Sequence, residues 1–186
     1  EQIAKQLADQ PSVLIASPAH LKRLPDNLDW QPMTSGLKAV FSSGGPLSAE
    51  SADNVTQLWH RRPIEVFGSS ETGGIAWRQS ENGSTSWQPL PEVEWHVSDE
   101  HLQIRSPHLP NDEWFVTQDR AALRDGNKFE LLGRSDRIIK LEERRISLTS
   151  IEHSLGQNDR VQECRLLVLP GQRERLAAVV VLNTLG

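Results

Sequence analysis

The sequence predicts an α/β protein: the end of a large mixed α/β domain with a β-rich subdomain, followed by the start of a small α+β domain. Three changes of texture predict it. Up to about residue 80, short apolar runs alternate with segments of helical spacing, the pattern of a largely parallel sheet. From 81 to 132 the helical stripe disappears and period-two alternation takes over. From 133 to 186 a strand, a helix and two further strands follow one another. The expected divisions are therefore 1–80, 81–132 and 133–186.

The first region begins with helical spacing over residues 2–10, which Pro11-Ser12 breaks. Val13-Leu14-Ile15-Ala16 then reads as a strand too apolar to be half exposed. A helix is expected from Pro18 to about Leu24, and a linker with Pro25, Asp26, Asn27 and Pro32 leads to a second strand, Leu37 to Phe41. That strand empties into Ser42-Ser43-Gly44-Gly45-Pro46. Ser48 has the position of an N-cap for a helix running from Glu50 to His60, with Val55, Leu58 and Trp59 on its inner face. Ile64 to Phe67 is the third strand.

The stretch Pro63 to Gly74 organises this region: an apolar run ends in an aromatic, then come glycines, hydroxyls and one carboxylate, Gly68-Ser69-Ser70-Glu71-Thr72-Gly73-Gly74. A loop of that composition at a strand's carboxyl end offers backbone N–H groups and an acid, which suits phosphate with a divalent cation. It is not a P-loop, because Gly74-Ile75 stands where the lysine and hydroxyl belong, and Gly68, Ser70 and Thr72 do not make a nucleophile elbow. For such a loop in isolation a tight turn, with glycines for positive φ and hydroxyls for capping, is the favoured reading. Two glycine loops on neighbouring strand ends point to one cleft.

In the second region, Asn82-Gly83-Ser84 is a turn, and Val93, Trp95 and Val97 begin a strand that Asp99-Glu100 turns back into Leu102 and Ile104. Trp114-Phe115-Val116 forms another, before the Asp125-Gly126-Asn127 hairpin turn and the strand from Phe129. Trp87, Trp95 and Trp114 read as packing residues. Beyond Gly133, Ile138 to Leu141 is strand-like, Ile146 starts a helical pattern through Leu148, Ile151 and Leu155, and strands follow at Arg165 to Leu169 and Leu176 to Leu182.

Composition narrows the function. A formal charge of −5, without blocks of one sign, gives no electrostatic case for nucleic acid. Cys164 is the single cysteine and sits in an apolar run, so an intrachain disulfide is impossible and a buried thiol is expected. Histidines 20, 60, 96, 101, 108 and 153 lack zinc-ligand spacing. No run is long enough to span a membrane and residues 1–6 have no signal-peptide pattern, so the expected compartment is the cytoplasm. With Glu1 in place of a methionine, the chain reads as a piece of a longer protein.

Three motifs, in order, resemble those of the AMP-forming adenylating enzymes, the superfamily of acyl- and aryl-CoA synthetases, peptide-synthetase adenylation domains and beetle luciferases. Phe67-Gly68-Ser69-Ser70-Glu71 resembles the family's Tyr-Gly-x-Thr-Glu, and Val116-Thr117-Gln118-Asp119 resembles its Thr-Gly-Asp. Gly133-Arg134-Ser135-Asp136-Arg137-Ile138-Ile139-Lys140, followed by Arg145-Ile146, resembles its hinge motif, and the Ser43-Gly44-Gly45-Pro46 loop fits ahead of them.

The resemblance implies an enzyme that adenylates a carboxylic acid with ATP and passes the acyl group to CoA or to the phosphopantetheine arm of an acyl carrier protein. It implies that Phe67 stacks on adenine beside Gly44 and Gly68, that Ser70 contacts phosphate, and that Glu71 holds Mg²⁺ on the nucleotide phosphates. Asp119 would bind the ribose hydroxyls and Arg134 the ribose or phosphate, the bland reading of Arg134 being an ion pair with Asp136. Asp136 would be the hinge of a mobile domain, and Lys140 a cation presented in the transfer step. Gln118 and Glu143 stand where the family has glycine. The family's upstream phosphate loop and terminal lysine have no counterpart here, so this stretch alone is expected to be inactive. The reading from another class is a non-catalytic nucleotide-binding or interaction module.

Overall fold

A computed structural model describes residues 10–25, 27–80, 85–141, 144–169 and 175–183. The helix expected over 2–10 and the turn at 82–84 lie largely outside them. Strand β2 (Leu37–Ser43) pairs in parallel with β1 (Ser12–Ala16) and with β3 (Ile64–Ser69). Parallel pairing needs long crossovers, and these carry helices α1 (Pro18–Leu21), α2 (Gln31–Thr34) and α3 (Ala49–Trp59).

Ser48 caps α3 as its sequence position predicts, its hydroxyl oxygen accepting the Ser51 amide at 3.1 Å. The helix ends at His60, which takes a left-handed φ of 52°. Ala52, Val55 and Trp59 belong to a core with Leu21, Trp30, Met33, Leu37 and Val40. Full burial of each large apolar side chain is worth about 1.5–3 kcal/mol, so this cluster fixes α3 on the sheet. The expectation of a fully buried first strand is corrected. Leu14 and Ala16 pack on this core, but Val13 and Ile15 are 55% and 77% exposed. β1 lies at the sheet edge, and its alternate residues Val13 and Ile15 point away from that core.

Beyond β3 the pairing becomes antiparallel with β4 (Gly73–Arg78) and β5 (Ser86–Pro89). Strands β6 (Glu94–Ser98), β7 (His101–Arg105), β8 (Phe115–Arg124) and β9 (Lys128–Arg134) complete a nine-stranded sheet of order β1-β2-β3-β4-β5-β9-β8-β7-β6. Both expected turns have left-handed residues, Asp99 and Glu100 in one, Gly126 and Asn127 in the other, the backbone state that tight hairpin turns favour. Trp87 and Trp95 pack as expected, against Phe67 at 5.5 Å and Phe129 at 5.1 Å. Trp114 does not: it is 41% exposed, edge-on to His96 at 4.3 Å and beside the Arg105 guanidinium at 5.2 Å.

The chain divides into two compact units, residues 1–117 with 122–131, and residues 118–121 with 132–186. The second contains the hairpin β10 (Ile138–Leu141) and β11 (Arg144–Ser147), helix α4 (Leu148–Gly156), and the hairpin β12 (Val161–Leu169) and β13 (Arg175–Leu182). Ile146 does not begin the helix. It is paired with Ile139 in the β10–β11 ladder, a setting that suits β-branched residues, and α4 starts where the Ser147 hydroxyl accepts the Ser150 amide at 3.2 Å. Glu152 on α4 is buried and accepts the Leu166 amide at 2.7 Å. It also pairs with Arg137 and, at 3.6 Å, with Arg165. No helix among the described residues is long and apolar enough to cross a membrane.

Candidate nucleotide site

Ser43 at the end of β2 stands opposite Val66 of β3, and its hydroxyl donates to the Val66 carbonyl at 3.0 Å. That bond brings side by side the two strand ends at which the glycine loops begin. Gly44 leaves β2 with φ +89° and has open space around it.

The second loop is shorter than its letters suggest. Gly68 and Ser69 still belong to β3 and Gly73 already belongs to β4, which leaves residues 70–72 as the turn. Ser69 and Thr72 brace it. The Ser69 amide donates to Thr72 Oγ1 at 3.1 Å, the Thr72 amide donates to Ser69 Oγ at 3.3 Å, and the Thr72 hydroxyl reaches the Gly73 carbonyl at 3.0 Å. Thr72 is buried, whereas Ser70 and Glu71 are exposed at the tip. The hydroxyls in this run therefore divide into structural ones and ones open to a ligand. His108 lies against Gly73, about 3.4 Å from the place a Cβ would occupy, and with Gly74, Leu90 and Val93 it lines a cleft of about 280 Å³.

Behind the turn is a polar network that sequence reasoning missed. Glu65 is 3% exposed, and both its oxygens receive the Arg78 fork at 2.8 Å. Ser80 Oγ donates to it at 2.9 Å, and the amide of Leu47, from the loop after Gly44, at 3.4 Å. The Arg78 guanidinium stands 4.4 Å from the centre of the Trp87 ring. The available signal was an acid interrupting the strand Ile64-Glu65-Val66-Phe67, with an arginine in the next strand as its antiparallel partner.

Asp119 and Arg134 belong to the second unit. Asp119 lies inside β8, and Arg134 ends β9. Arg134 Nη1 is 3.8 Å from Asp119 Oδ1, so the two candidate ribose-binding side chains are neighbours. Gln118, in place of the family's glycine, uses its side chain: Ser135 Oγ donates to Gln118 Oε1 at 2.8 Å and reaches its carbonyl at 3.1 Å. Gly133 adopts φ +102°, Asp136 lies in the 3-10 turn Ser135–Arg137, and Lys140 is paired with Arg145 between β10 and β11. Burial pushes the Glu152 carboxyl up, but the Leu166 amide and the Arg137 guanidinium outweigh it and hold the group below the usual carboxylate range.

No family model matches the chain. It is 30% identical over 140 residues to the 4-coumarate–CoA ligase of Cereibacter sphaeroides, an alignment covering 75% of this chain and 31% of the ligase. Its fold matches ATP-bound MatB from Rhodopseudomonas palustris with a TM-score of 0.79 at 18% identity, over 98% of this chain and 42% of MatB. The chain belongs to the AMP-forming adenylating enzymes. A second adenylating relative, bacitracin synthase 3 of Bacillus licheniformis, is 24% identical over 96% of this chain and 4% of the synthase. The chain thus spans about a third of the ligase's length and far less of the synthase's.

Proposed function

We propose that this adenylating-enzyme chain contributes to an ATP-dependent ligase for an acyl or aryl carboxylic acid. A carboxylate oxygen attacks the α-phosphorus of ATP and pyrophosphate leaves; a thiol then attacks the acyl carbonyl and AMP leaves. The acceptor is CoA or the pantetheine arm of a carrier protein. The observation that supports this reading most is the pairing, through Ser43 and Val66, of the two strands that lead into the Gly44 loop and the turn at 70–72.

In this reading the adenine ring stacks on Phe67, with Gly44 and Gly68 admitting the nucleotide close to the backbone. Ser70 donates to a phosphate oxygen. Asp119 accepts from the ribose hydroxyls, and Arg134, now beside it, turns to ribose or phosphate. Lys140 supplies positive charge in the transfer step, with Asp136 as the hinge that presents it. Among the described residues no group of three or more His, Cys, Asp or Glu is arranged to hold a metal. A single exposed carboxylate at Glu71 nevertheless suits Mg²⁺, which commonly keeps one or two protein carboxylates and takes substrate phosphates and water besides. When bound, the cation neutralises charge that develops on the phosphate oxygens.

The test is acid-dependent exchange of labelled pyrophosphate into ATP by the full-length protein, with a panel of acyl and aryl acids. Exchange with at least one acid is expected, and Glu71→Gln is expected to reduce it by roughly 10²–10³, the usual effect of losing one such stabilising group. ATP binding without exchange for any acid would favour a nucleotide-binding module instead.

A further inference from the structure

We infer that Glu65 and Arg78 are positioning residues for the nucleotide, acting through Trp87 on the ring of Phe67. The inference rests on the reading of Phe67 as the adenine platform. The Glu65 carboxylate is saturated by four hydrogen bonds, two from Arg78 and one each from Ser80 and Leu47. A bidentate fork on a buried carboxylate fixes the guanidinium plane as well as its position. That guanidinium stands over Trp87, 4.4 Å from its ring centre, and Trp87, itself 7% exposed, meets Phe67 at 5.5 Å with the rings inclined by 53°. Phe129 closes a second side of Phe67 edge-on at 6.3 Å.

Each link is a contact with a preferred geometry, so the orientation of Phe67 follows from that of Arg78. Stability alone gives weak grounds for such an arrangement. Replacing a buried ion pair by apolar residues of similar volume is often neutral or stabilising. What an apolar pair would lose is the fixed plane, together with the Leu47 amide that ties the Gly44 loop to the same carboxylate. A half-buried aromatic that must receive a planar base gains from being held before the base arrives.

The experiment measures ATP affinity by calorimetry and KM for ATP and for the acid, in the full-length protein. Arg78→Lys keeps the charge and removes the fork. Trp87→Leu leaves the ion pair and removes the ring between it and Phe67. Each is expected to weaken ATP binding by roughly tenfold, the scale of a lost cation–π or aromatic contact in a desolvated site, with KM for the acid unchanged. Phe67→Ala is expected to weaken it at least as much, and Phe67→Ala with Arg78→Lys is expected to be no weaker than Phe67→Ala alone. That non-additivity is a result a merely structural role would not produce. ATP affinity unaltered in Arg78→Lys and Trp87→Leu, or strict additivity with Phe67→Ala, overturns the inference. If Phe67→Ala itself binds ATP normally, the platform reading falls and the inference with it. Should Arg78→Lys not fold, Trp87→Leu alone decides.

Discussion

A methyl group on Gly68 would lie 2.1 Å from the carbonyl oxygen of Gly73. Strands β3 and β4 come this close because their register shifts between Phe67 and Gly68, and the obstacle is backbone, which cannot swing aside. Glycine is therefore demanded here by proximity to the facing strand.

Gly68→Ala is accordingly expected to open the turn that carries Ser70 and Glu71. Overpacking of this kind costs about 1–3 kcal/mol, visible as a lower urea midpoint. Calorimetry should show ATP affinity falling further than that of any variant that leaves the turn closed. Parent-like affinity and stability in Gly68→Ala would mean that the turn is not held as described.

Thr72 makes a second test of the same turn. Thr72→Val keeps the shape but removes the acceptor for the Ser69 amide and the donor to the Gly73 carbonyl. Leaving partly buried groups unpaired costs about 1–3 kcal/mol. Thr72→Ser retains the hydroxyl and should recover most of the loss; equal destabilisation by both substitutions would assign the effect to the methyl group.

Glu152 predicts a pH dependence for the second unit. Its carboxyl is held below its ordinary range by the Leu166 amide and Arg137 against the opposing effect of burial. A lowered folded-state value means that the stabilisation is complete above the unfolded carboxyl value of about 4.3 and is lost as pH falls through the folded one. Urea midpoints taken from neutral to acidic pH should therefore drop at the acid end, and Glu152→Gln should flatten that part of the curve while lowering its neutral plateau. An unchanged acid slope in Glu152→Gln would assign the pH dependence to other groups.

The residues proposed as the hinge are expected to separate the two half-reactions. Gly133 holds φ +102°, a backbone state that a Cβ strains, and a few such residues at element ends commonly absorb domain rotation. Asp136→Pro and Lys140→Ala are expected to slow acyl transfer to the thiol more than pyrophosphate exchange. Gln118→Gly, which removes the 2.8 Å bond to Ser135, should alter transfer and leave exchange near the parent rate. Single-turnover assays of each step check this, and equal losses in both steps would point to a static site.

Much of this molecule was legible because its causes are local. A serine before a helical stripe caps it wherever the helix docks, as Ser48 does for α3. Turns such as Asp99-Glu100 and Gly126-Asn127 need left-handed residues at two adjacent positions, and the order of three short motifs identified the family. The sequence by itself determined the caps, the turns, the order of the main strands and helices and the residues available for chemistry. Only the tertiary structure decided their partners. The exposure of Val13 and Ile15 depends on which strand lies at the sheet edge, and the place of Ile146 depends on its ladder with Ile139. The pairing of Arg134 with Asp119, of Gln118 with Ser135 and of Glu65 with Arg78 depends on how strands and turns distant in the chain are brought together. A backbone conformation is set within a few residues, but an ion pair or a hydrogen bond between such segments exists only after folding has aligned them.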